Sequence, residues 1–493
     1  MAGDIVIGCD VGTGSCKALA LDQAGDVVAR ASADHALHHP NPGWAEQDAR
    51  YWVDGLTATI RQVATAVGPA RVRAIGVSAQ VDGVVAVDRA GQAVAPAILW
   101  LDRRASTESA VLAERWGADA IRRRTGINLD ASHGAAKVAW LRAQGGPAAT
   151  ADAYLVPGAF VTSWLCGVRV TDPAAASSTM LLDLASRAWA TDLLADLGLG
   201  PDQLGDIAPA HAPVGTLRPE VARTLGLGPD VVVVTGTGDE FGACLGAAIV
   251  EPGIVGDITG TAEPVGAVAT TPLLDPTGLV ETHPHAVPDR WLLENPGFVS
   301  GGARRWLAES VLGVPADRVA ELAAQAPPGC DGLVFIPALG GAVTPRWNDR
   351  ARGTFHGLRL GHDQRHLARA VLEGCAFALR DLVDRLDELG LAGDRVRILG
   401  GGARDALWPS IKADVTGRVM ERLVEPEATA LGGAVLAATG AGWYPDVASA
   451  AAASARVHPE VAVPDPGNRD RYDAAYARYR ATFDALEPID MDA

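Results

Sequence analysis

Apolar runs of strand length alternate with segments of helical periodicity along the whole chain. The strand-like runs are IVIGCDV, RVRAIGVSA, AVAPAILW and VVVVTG in the first half, and GIVGDITG, GLVFIPAL and RVRILGG in the second. The periodicity predicts helices over residues 47–67, 108–124, 304–312, 366–389, 407–416 and 430–439, and a C-terminal helix over 468–486. This alternation is typical of α/β proteins, so an α/β fold is predicted.

One pattern occurs twice, about half the chain apart. The segment IVIGCDVGTGSCKALALD begins at Ile5, and GIVGDITGTAEPVGAVA begins at Gly253. Each consists of an apolar strand, an Asp-led turn rich in glycine and threonine, and a second apolar strand. A hairpin turn of this composition presents backbone N–H groups and hydroxyls together, which suits phosphate oxygens. The repeat predicts two similar domains, residues 1–249 and 250–493, with a nucleotide in the cleft between them.

Length and charge agree with this arrangement and exclude some partners. A chain of 493 residues exceeds one ordinary core, and its 48 % hydrophobic and 20 % charged residues are typical of a folded protein. The formal net charge of −17 argues against nucleic acid or an anionic membrane as a partner. The six cysteines lack CxxC or metal-site spacing, and we expect neither a secretory signal nor a membrane span. These features predict reduced thiols and a cytoplasmic location.

The two repeated turns supply the candidate phosphate-binding residues. Asp10, at the end of the first strand, is a candidate to orient a Mg²⁺-bound water. Taken alone, either turn is also compatible with an ordinary hairpin. The P-loop pattern is absent, and the first turn does not match a dinucleotide-binding motif because a strand rather than a helix follows it. The candidates are Gly12, Thr13, Gly14 and Ser15 in the first turn, and Gly260 and Thr261 in the second.

A pair of carboxylates follows the buried strand VVVVTG. Asp239 and Glu240 open a predicted helix of small residues. The dipole at a helix N-terminus favours an ionised carboxylate, and ligands of α/β proteins bind at the carboxyl ends of strands. Asp239 is therefore a candidate general base, and the alternative is an N-cap without a catalytic role.

Other polar groups follow predicted strands. The glycine run that ends at Gly402 would bring amides close to a flat ligand or a phosphate, or would serve as a flexible connection. Val81-Asp82 and the segment Trp100–Arg104 each follow a strand of the first half. An Asp and an Arg beside a Trp suit a polyhydroxylated ligand, and an ion pair with a buried Trp is the alternative. His283 and His285 lack further ligands at metal spacing and are interpreted as structural.

Together these motifs resemble those of the FGGY carbohydrate kinases, and among them the xylulokinase-like members. The resemblance covers essentially the whole chain and keeps the family's motif order: CDVGTGSCKA, PGWAEQD, TGTGDEFGA, DITGT and GGGAR. Two longer family patterns correspond to HGAAKVAWL from His133 and to GTFHGLRLGHDQRHLARAVLEG from Gly353.

The resemblance implies two duplicated actin-like, ribonuclease-H-like domains that close over ATP, Mg²⁺ and a small sugar or polyol. A pentulose such as xylulose is the first candidate substrate. The first domain would bind substrate and phosphates, and the second the nucleotide. Asp239 matches the catalytic Asp, which accepts the proton of the attacking hydroxyl during in-line phosphoryl transfer. Asp10 and Asp239 match the metal-linked carboxylates. Thr13 and Thr261 would face the phosphates, and Gly401, Gly402 and Ala403 match the adenosine-side motif. Relatives are commonly homodimers.

The substrate side departs from the family's usual residues. Val81-Asp82 stands where xylulokinases carry Met-His and glycerol kinases Arg-Glu, and Glu240 stands where xylulokinases carry Asn. The extra carboxylates suggest a polar, multiply hydroxylated ligand. An actin-like ATPase of the chaperone or assembly type is the alternative function, although the sequence offers no separate peptide-binding region. The candidate substrate-binding residues are Val81, Asp82, Trp100, Asp102 and Glu240.

Overall fold

The computed structural model describes residues 3–403 and 405–491. Its first domain is built on a mixed sheet with strands Ile5–Val11 (β1), Ser15–Asp22 (β2), Val27–Asp34 (β3), Val72–Ala79 (β4), Pro213–Thr216 (β5), Val232–Val234 (β6) and Thr237–Gly238 (β7). Their order is β5-β6-β4-β1-β2-β3, and β7 pairs with β4. β1 and β2 form an antiparallel hairpin, with β4 parallel to β1 on its other side. All of β1 is buried, which explains its unbroken apolar character.

The second domain repeats this topology. Its strands are Ile254–Thr259 (β8), Ala262–Ala269 (β9), Glu281–Pro284 (β10), Trp291–Val299 (β11), Arg395–Gly400 (β12) and Val419–Arg422 (β13). The order is β10-β11-β9-β8-β12-β13. β8 and β9 form the antiparallel hairpin, and β12 runs parallel to β8. The two Gly/Thr turns therefore occupy equivalent positions in two equivalent sheets.

Helices cover both sheets. α1 buries Trp52, Leu56, Ile60 and Val63 at helical spacing and packs against β2 and β3. The helices are Arg50–Val67 (α1), Ser106–Trp116 (α2), Ala118–Thr125 (α3), Gly134–Ala143 (α4), Gly146–Ala149 (α5), Pro157–Cys166 (α6), Pro173–Ser177 (α7), Thr191–Asp196 (α8), Pro219–Leu225 (α9), Asp239–Gly246 (α10), Gly301–Trp306 (α11), Arg318–Ala323 (α12), Gln364–Glu388 (α13), Leu407–Thr416 (α14), Ala428–Gly440 (α15), Val447–Ser454 (α16) and Arg469–Met491 (α17).

Short strand pairs and turns join these elements. The pairs are Glu46–Gln47 with Ala97–Ile98, Val85–Val87 with Ala153–Leu155, Val170–Thr171 with Asp206–Ile207, Leu182–Asp183 with Ala188–Trp189, and Val334–Ile336 with Thr354–His356. All six cysteines are free thiols. Among the described residues, no helix combines the length and the apolar character that crossing a bilayer requires.

The two domains meet through the glycine-rich helices α10 and α15. α15 lies across β1 and β4 of the first sheet, although it belongs to the second half of the chain. A Cβ atom added at Gly8 would lie 2.0 Å from the carbonyl oxygen of Ala430, and one at Gly432 would lie 1.9 Å from that of Gly242. Only glycine permits such close approach of two backbones. The glycines of these helices are therefore required by the packing between the domains.

Most predicted elements are present, often with limits shifted by a few residues, and three of them differ in a way that has a local cause. The helix predicted over 108–124 is two helices, because Gly117 has a φ of 75° and breaks the hydrogen-bond ladder. The strand predicted from AVAPAILW is reduced to Ala97–Ile98, since Pro96 lacks a backbone donor. The helix predicted over 304–312 begins at Gly301 and continues as a wider π-helical segment, Leu307–Leu312.

Candidate active site

The first turn lies at the end of the β1–β2 hairpin and is held in place from the side. The amide of Gly12 donates to the carbonyl oxygen of Ser15 at 3.0 Å. Gln47 Nε2 donates to the carbonyl oxygen of Thr13 at 2.6 Å, and Trp100 Nε1 donates to the Thr13 hydroxyl at 2.9 Å. Gly14 is exposed, with open space above its Cα. The turn is therefore rigidly supported, while its tip is open.

Asp10 precedes this turn and is nearly buried. Burial raises the pKa of Asp10 to about 7, with Lys17 opposing the shift and the nearby charge of Asp239 adding to it. The two carboxylates therefore lie close enough to interact across the site. Mg²⁺ is usually held by one or two carboxylates together with phosphate oxygens and water, so this pair fits that ion. The described residues contain no cluster of three or more His, Cys, Asp or Glu arranged for a metal.

Asp239 is the first residue of α10, and the N-cap position is occupied by Gly238. The carboxylate accepts a hydrogen bond from the amide of Glu240 at 3.0 Å, and the amide of Val81 stabilises its charge as well. Burial nevertheless raises the pKa of Asp239 to about 6. A carboxylate that is oriented by amides and has a pKa near neutrality is suited to accept a proton.

Asp82 belongs to a polar cluster next to Asp239. It has a φ of 58°, and its carboxylate lies 2.9 Å from Nδ1 of His133. Burial alone would lower the pKa of His133, but the charge of Asp82 raises it to about 9. Lys137 Nζ donates to the carbonyl oxygen of Asp82 at 2.6 Å, and burial lowers its pKa to about 8. The left-handed backbone at Asp82 is thus held by two cationic side chains, those of His133 and Lys137.

The other predicted substrate-binding residues differ in whether their side chains can still bind a ligand. Val81 packs against Gly238 and supplies only its backbone near Asp239. Both oxygens of Asp102 already accept hydrogen bonds, one from the amide of Ala45 at 2.5 Å and both from Arg104. The guanidinium of Arg104 in turn lies 3.7 Å from the ring centre of Trp44. These contacts match the ion-pair alternative for Asp102, and its role as a sugar ligand stays a prediction.

The second turn and the glycine run line one cavity of about 510 Å³. Gly402 packs tightly on Thr259. A Cβ atom added at Gly402 would lie only 2.5 Å from the hydroxyl oxygen of Thr259. Arg305 donates to the hydroxyl of Thr261 at 3.0 Å. Gly401 to Ala403 form a 3₁₀ turn after β12, and Arg404 lies outside the described residues. The remaining lining residues include Gly301, Arg304, Asp317, Asp405 and Trp408.

A second cavity, of about 320 Å³, is lined by residues of both hairpins. Lys17 of the first hairpin and Gly260 of the second both line it. Gly401 lies on its wall as well, so it adjoins the larger cavity. Asp10 interacts electrostatically with Lys17 and Asp239, and Lys17 shares this cavity with Gly260. One cleft that holds Asp10, Asp239 and both turns stays a prediction.

A buried ion network lies beneath the second turn. Lys412 on α14 is fully buried, and its Nζ lies 2.6 Å from Asp257, 3.0 Å from Glu263 and 2.8 Å from the hydroxyl of Thr259. Burial would lower the pKa of Lys412, but the two carboxylates outweigh it and raise the pKa. The network ties the strand ends of the hairpin to α14.

Sequence reasoning missed both Lys137 and Lys412, although composition carried a signal. The chain has 42 lysines and arginines together, of which only three are lysines: Lys17, Lys137 and Lys412. All three lie at the cleft or directly behind it. A chain that uses arginine almost everywhere retains lysine where a compact ammonium group is needed, because the planar guanidinium does not replace it.

Comparison with known proteins identifies the family. Models of the N-terminal and C-terminal domains of the FGGY family of carbohydrate kinases match residues 5–246 and 258–441. The chain therefore belongs to the FGGY family of carbohydrate kinases. A xylulose kinase of Staphylococcus epidermidis is 28 % identical over 498 residues, covering 100 % of this chain and 99 % of the relative. A glycerol kinase of Aromatoleum aromaticum is 34 % identical over 504 residues, covering 96 % and 97 %.

Solved structures agree with this assignment. The crystal structure of a xylulose kinase from Rhodospirillum rubrum has a TM-score of 0.88 and 32 % identity, covering 99 % of this chain and 100 % of that one. A xyloylose kinase from Brucella ovis has a TM-score of 0.90 at 28 % identity, covering 98 % and 100 %. The predicted two-domain α/β fold is thus confirmed, and the chain is an ATP-dependent carbohydrate kinase. The chaperone or assembly alternative is not favoured.

Proposed function

We propose that this protein transfers the γ-phosphoryl group of ATP in line to a hydroxyl of a small sugar or polyol, with Asp239 as the general base. The observation that carries the proposal is the position of Asp239. Its carboxylate is close enough to interact electrostatically both with Asp82 of the polar cluster and with Asp10, which precedes the first turn. A proton acceptor in this position is within reach of both a substrate hydroxyl and a triphosphate.

The remaining residues act by positioning. The amides of Val81 and Glu240 orient the Asp239 carboxylate toward the attacking hydroxyl. Both turns would bind phosphate oxygens, and the cavity at Gly401 would hold the adenosine. When bound by Asp10 and Asp239, Mg²⁺ would neutralise charge on the phosphates. Phosphoryl transfer depends mainly on such positioning and charge neutralisation.

A pentulose such as xylulose is the first candidate substrate, because several of the most similar relatives are named xylulose kinases. Glycerol kinases are matched nearly as well, so the panel of substrates has to include polyols. We further propose a cytoplasmic homodimer, which light scattering after gel filtration would test.

The test is ADP release measured across a panel of ketoses and polyols, with and without each compound. We expect at least one member to accelerate ADP release strongly. Asp239→Asn should abolish this acceleration and leave binding of an ATP analogue intact in a thermal-shift assay. Asp446→Asn is the matched control, since Asp446 is exposed, caps α16 and accepts from the amide of Ser449 at 2.7 Å. An active Asp239→Asn variant would exclude Asp239 as the base.

A further inference from the structure

Two neighbouring strands of the second sheet carry buried polar side chains on one face. Glu281 and His283 lie on β10 and Glu294 lies on β11, each at most 3 % exposed. Glu281 and Glu294 are directly opposite in the antiparallel register, and His283, two residues along, shares their face. We refer to these three residues as the second-domain wall. Burial raises the pKa of both carboxyl groups, and burying two polar groups opposite one another in a sheet costs free energy, so the stability of the second domain does not explain them.

The second-domain wall faces the substrate side of the first domain. The carboxyl groups of Glu294 and Glu240 share a hydrogen bond across the domain boundary. Glu281 lies close enough to His133 and Asp82 for their charges to act on it. The wall therefore completes, from the second domain, the polar surface that the first domain provides near Asp82.

His283 has an unsatisfied nitrogen within this surface. Its Nδ1 lies 2.8 Å from the hydroxyl of Ser177, which donates its own proton to the carbonyl oxygen of Ala174 at 2.6 Å. This assigns the ring proton to Nδ1 and leaves Nε2 as an acceptor. Among the described residues Nε2 has no hydrogen-bond partner, and it is directed at Glu294 and Glu281, 3.6 Å and 4.0 Å away. His283 thus presents an acceptor nitrogen to the two carboxyl groups, of which Glu281 already accepts a hydrogen bond from the amide of Asn128 at 2.6 Å.

We propose that the second-domain wall determines substrate specificity: it selects a neutral, multiply hydroxylated substrate and rejects sugars that carry a carboxylate. This inference rests on the proposed function. A hydroxyl of a polyol or ketose supplies the donor that Nε2 of His283 lacks, and neighbouring hydroxyls can exchange hydrogen bonds with the carboxyl groups of Glu281 and Glu294. A carboxylate of an aldonate cannot donate to Nε2 of His283, and the nearby negative charge of Asp82 repels it.

The test compares carbon-matched polyols, ketoses and aldonates of three to six carbons by ADP release and by thermal shift. The wild type should bind and phosphorylate at least one neutral compound and no aldonate. Glu294→Gln and Glu281→Gln should raise the KM for that compound about tenfold, as expected for disruption of one hydrogen bond to the substrate, with the KM for ATP unchanged. Their melting temperatures should equal or exceed that of the wild type, whereas a structural role would lower them.

His285→Asn is the matched control. His285 is buried in the same segment and also has an unpaired Nε2, but it lines a separate cavity with Pro173, Arg187 and Pro288. This variant should leave the KM for the sugar unchanged.

Three outcomes are distinguishable. Efficient phosphorylation of an aldonate, or an unchanged KM in Glu294→Gln, would overturn the specificity role and leave the kinase proposal intact. Binding of a neutral compound that weakens in Glu294→Gln, without any phosphorylation, would support the wall and contradict the proposed reaction. Failure of every compound to bind in either assay would overturn both proposals.

Discussion

Lys17 and Glu427 form a 2.5 Å ion pair that joins the first hairpin to the residue before α15. Each side chain is about one-third exposed, at 31 % and 33 %, so the pair contributes little to stability. Lys17 also lines the cavity that contains Gly260 of the second turn. Its ammonium group is therefore placed to act on a triphosphate rather than to hold the domains together.

Replacing Lys17 by methionine should weaken nucleotide binding. We expect the KM for ATP to rise about tenfold, because a charge-assisted contact to phosphate is lost. Initial rates at varied ATP check this, and Glu427→Gln is the control because it removes the partner but keeps the ammonium group. An equal increase in KM in both variants would show that the ion pair, rather than the charge of Lys17, matters.

Lys412 offers the opposite case, in which the ion pairs are buried. Lys412→Met should leave Asp257 and Glu263 without their counter-charge and destabilise the protein by roughly 3–5 kcal/mol. For a domain of this size that corresponds to a melting temperature lower by roughly 10 °C. Differential scanning calorimetry checks it, and Lys17→Met, at a side chain that is about one-third exposed, serves as the control. Equal melting temperatures in the two variants would contradict the stabilising role of the network.

Local patterns predicted much of this site, because its main elements are contiguous in sequence. The hairpin turns are defined by glycine, threonine and a leading Asp within a few residues, and the same pattern recurs at Ile5 and Gly253. Asp239 follows directly from a buried strand that ends before a helix. Such signals need no knowledge of distant contacts.

The substrate side was not predictable in the same way, because tertiary packing assembles it. His133 meets Asp82 across 51 residues, and Glu294 meets Glu240 across the domain boundary. No spacing rule connects such positions. A lone carboxylate in the apolar strand WLLENPGFV was nevertheless a usable signal, since a buried charge requires a partner or a ligand.

The pH dependence of activity should follow ionisation of Asp239. Its pKa of about 6 means that the base is protonated at low pH, so kcat/KM should fall as the pH decreases through about 6. Stability should respond in the opposite direction. Because burial raises the pKa above the ordinary value of 3.8, this group contributes stability below about 3.8 that is lost as the pH rises through about 6.

Both halves of that expectation are measurable in one set of buffers. Initial rates at low substrate from pH 5 to pH 9 give kcat/KM, and melting temperatures at each pH show that the protein stays folded. Asp10, with a pKa raised to about 7, should broaden the acidic limb of the profile. A kcat/KM that stays constant down to pH 5 would contradict a base with a raised pKa.

The contact between β1 and α15 should tolerate no side chain at Gly8. A Cβ atom there would lie 2.0 Å from the carbonyl oxygen of Ala430 and 2.3 Å from the amide nitrogen of Ala434. Both neighbours are helix backbone, which cannot move without shifting α15, so Gly8→Ala should destabilise the protein by about 3 kcal/mol or more. Calorimetry should show a lower melting temperature, and displacement of β1 should also raise the KM for ATP. Gly361→Ala is the control, because a Cβ atom there has no neighbour within 4 Å. If Gly8→Ala and Gly361→Ala had the same melting temperature, α15 could not pack on β1 as the structure shows.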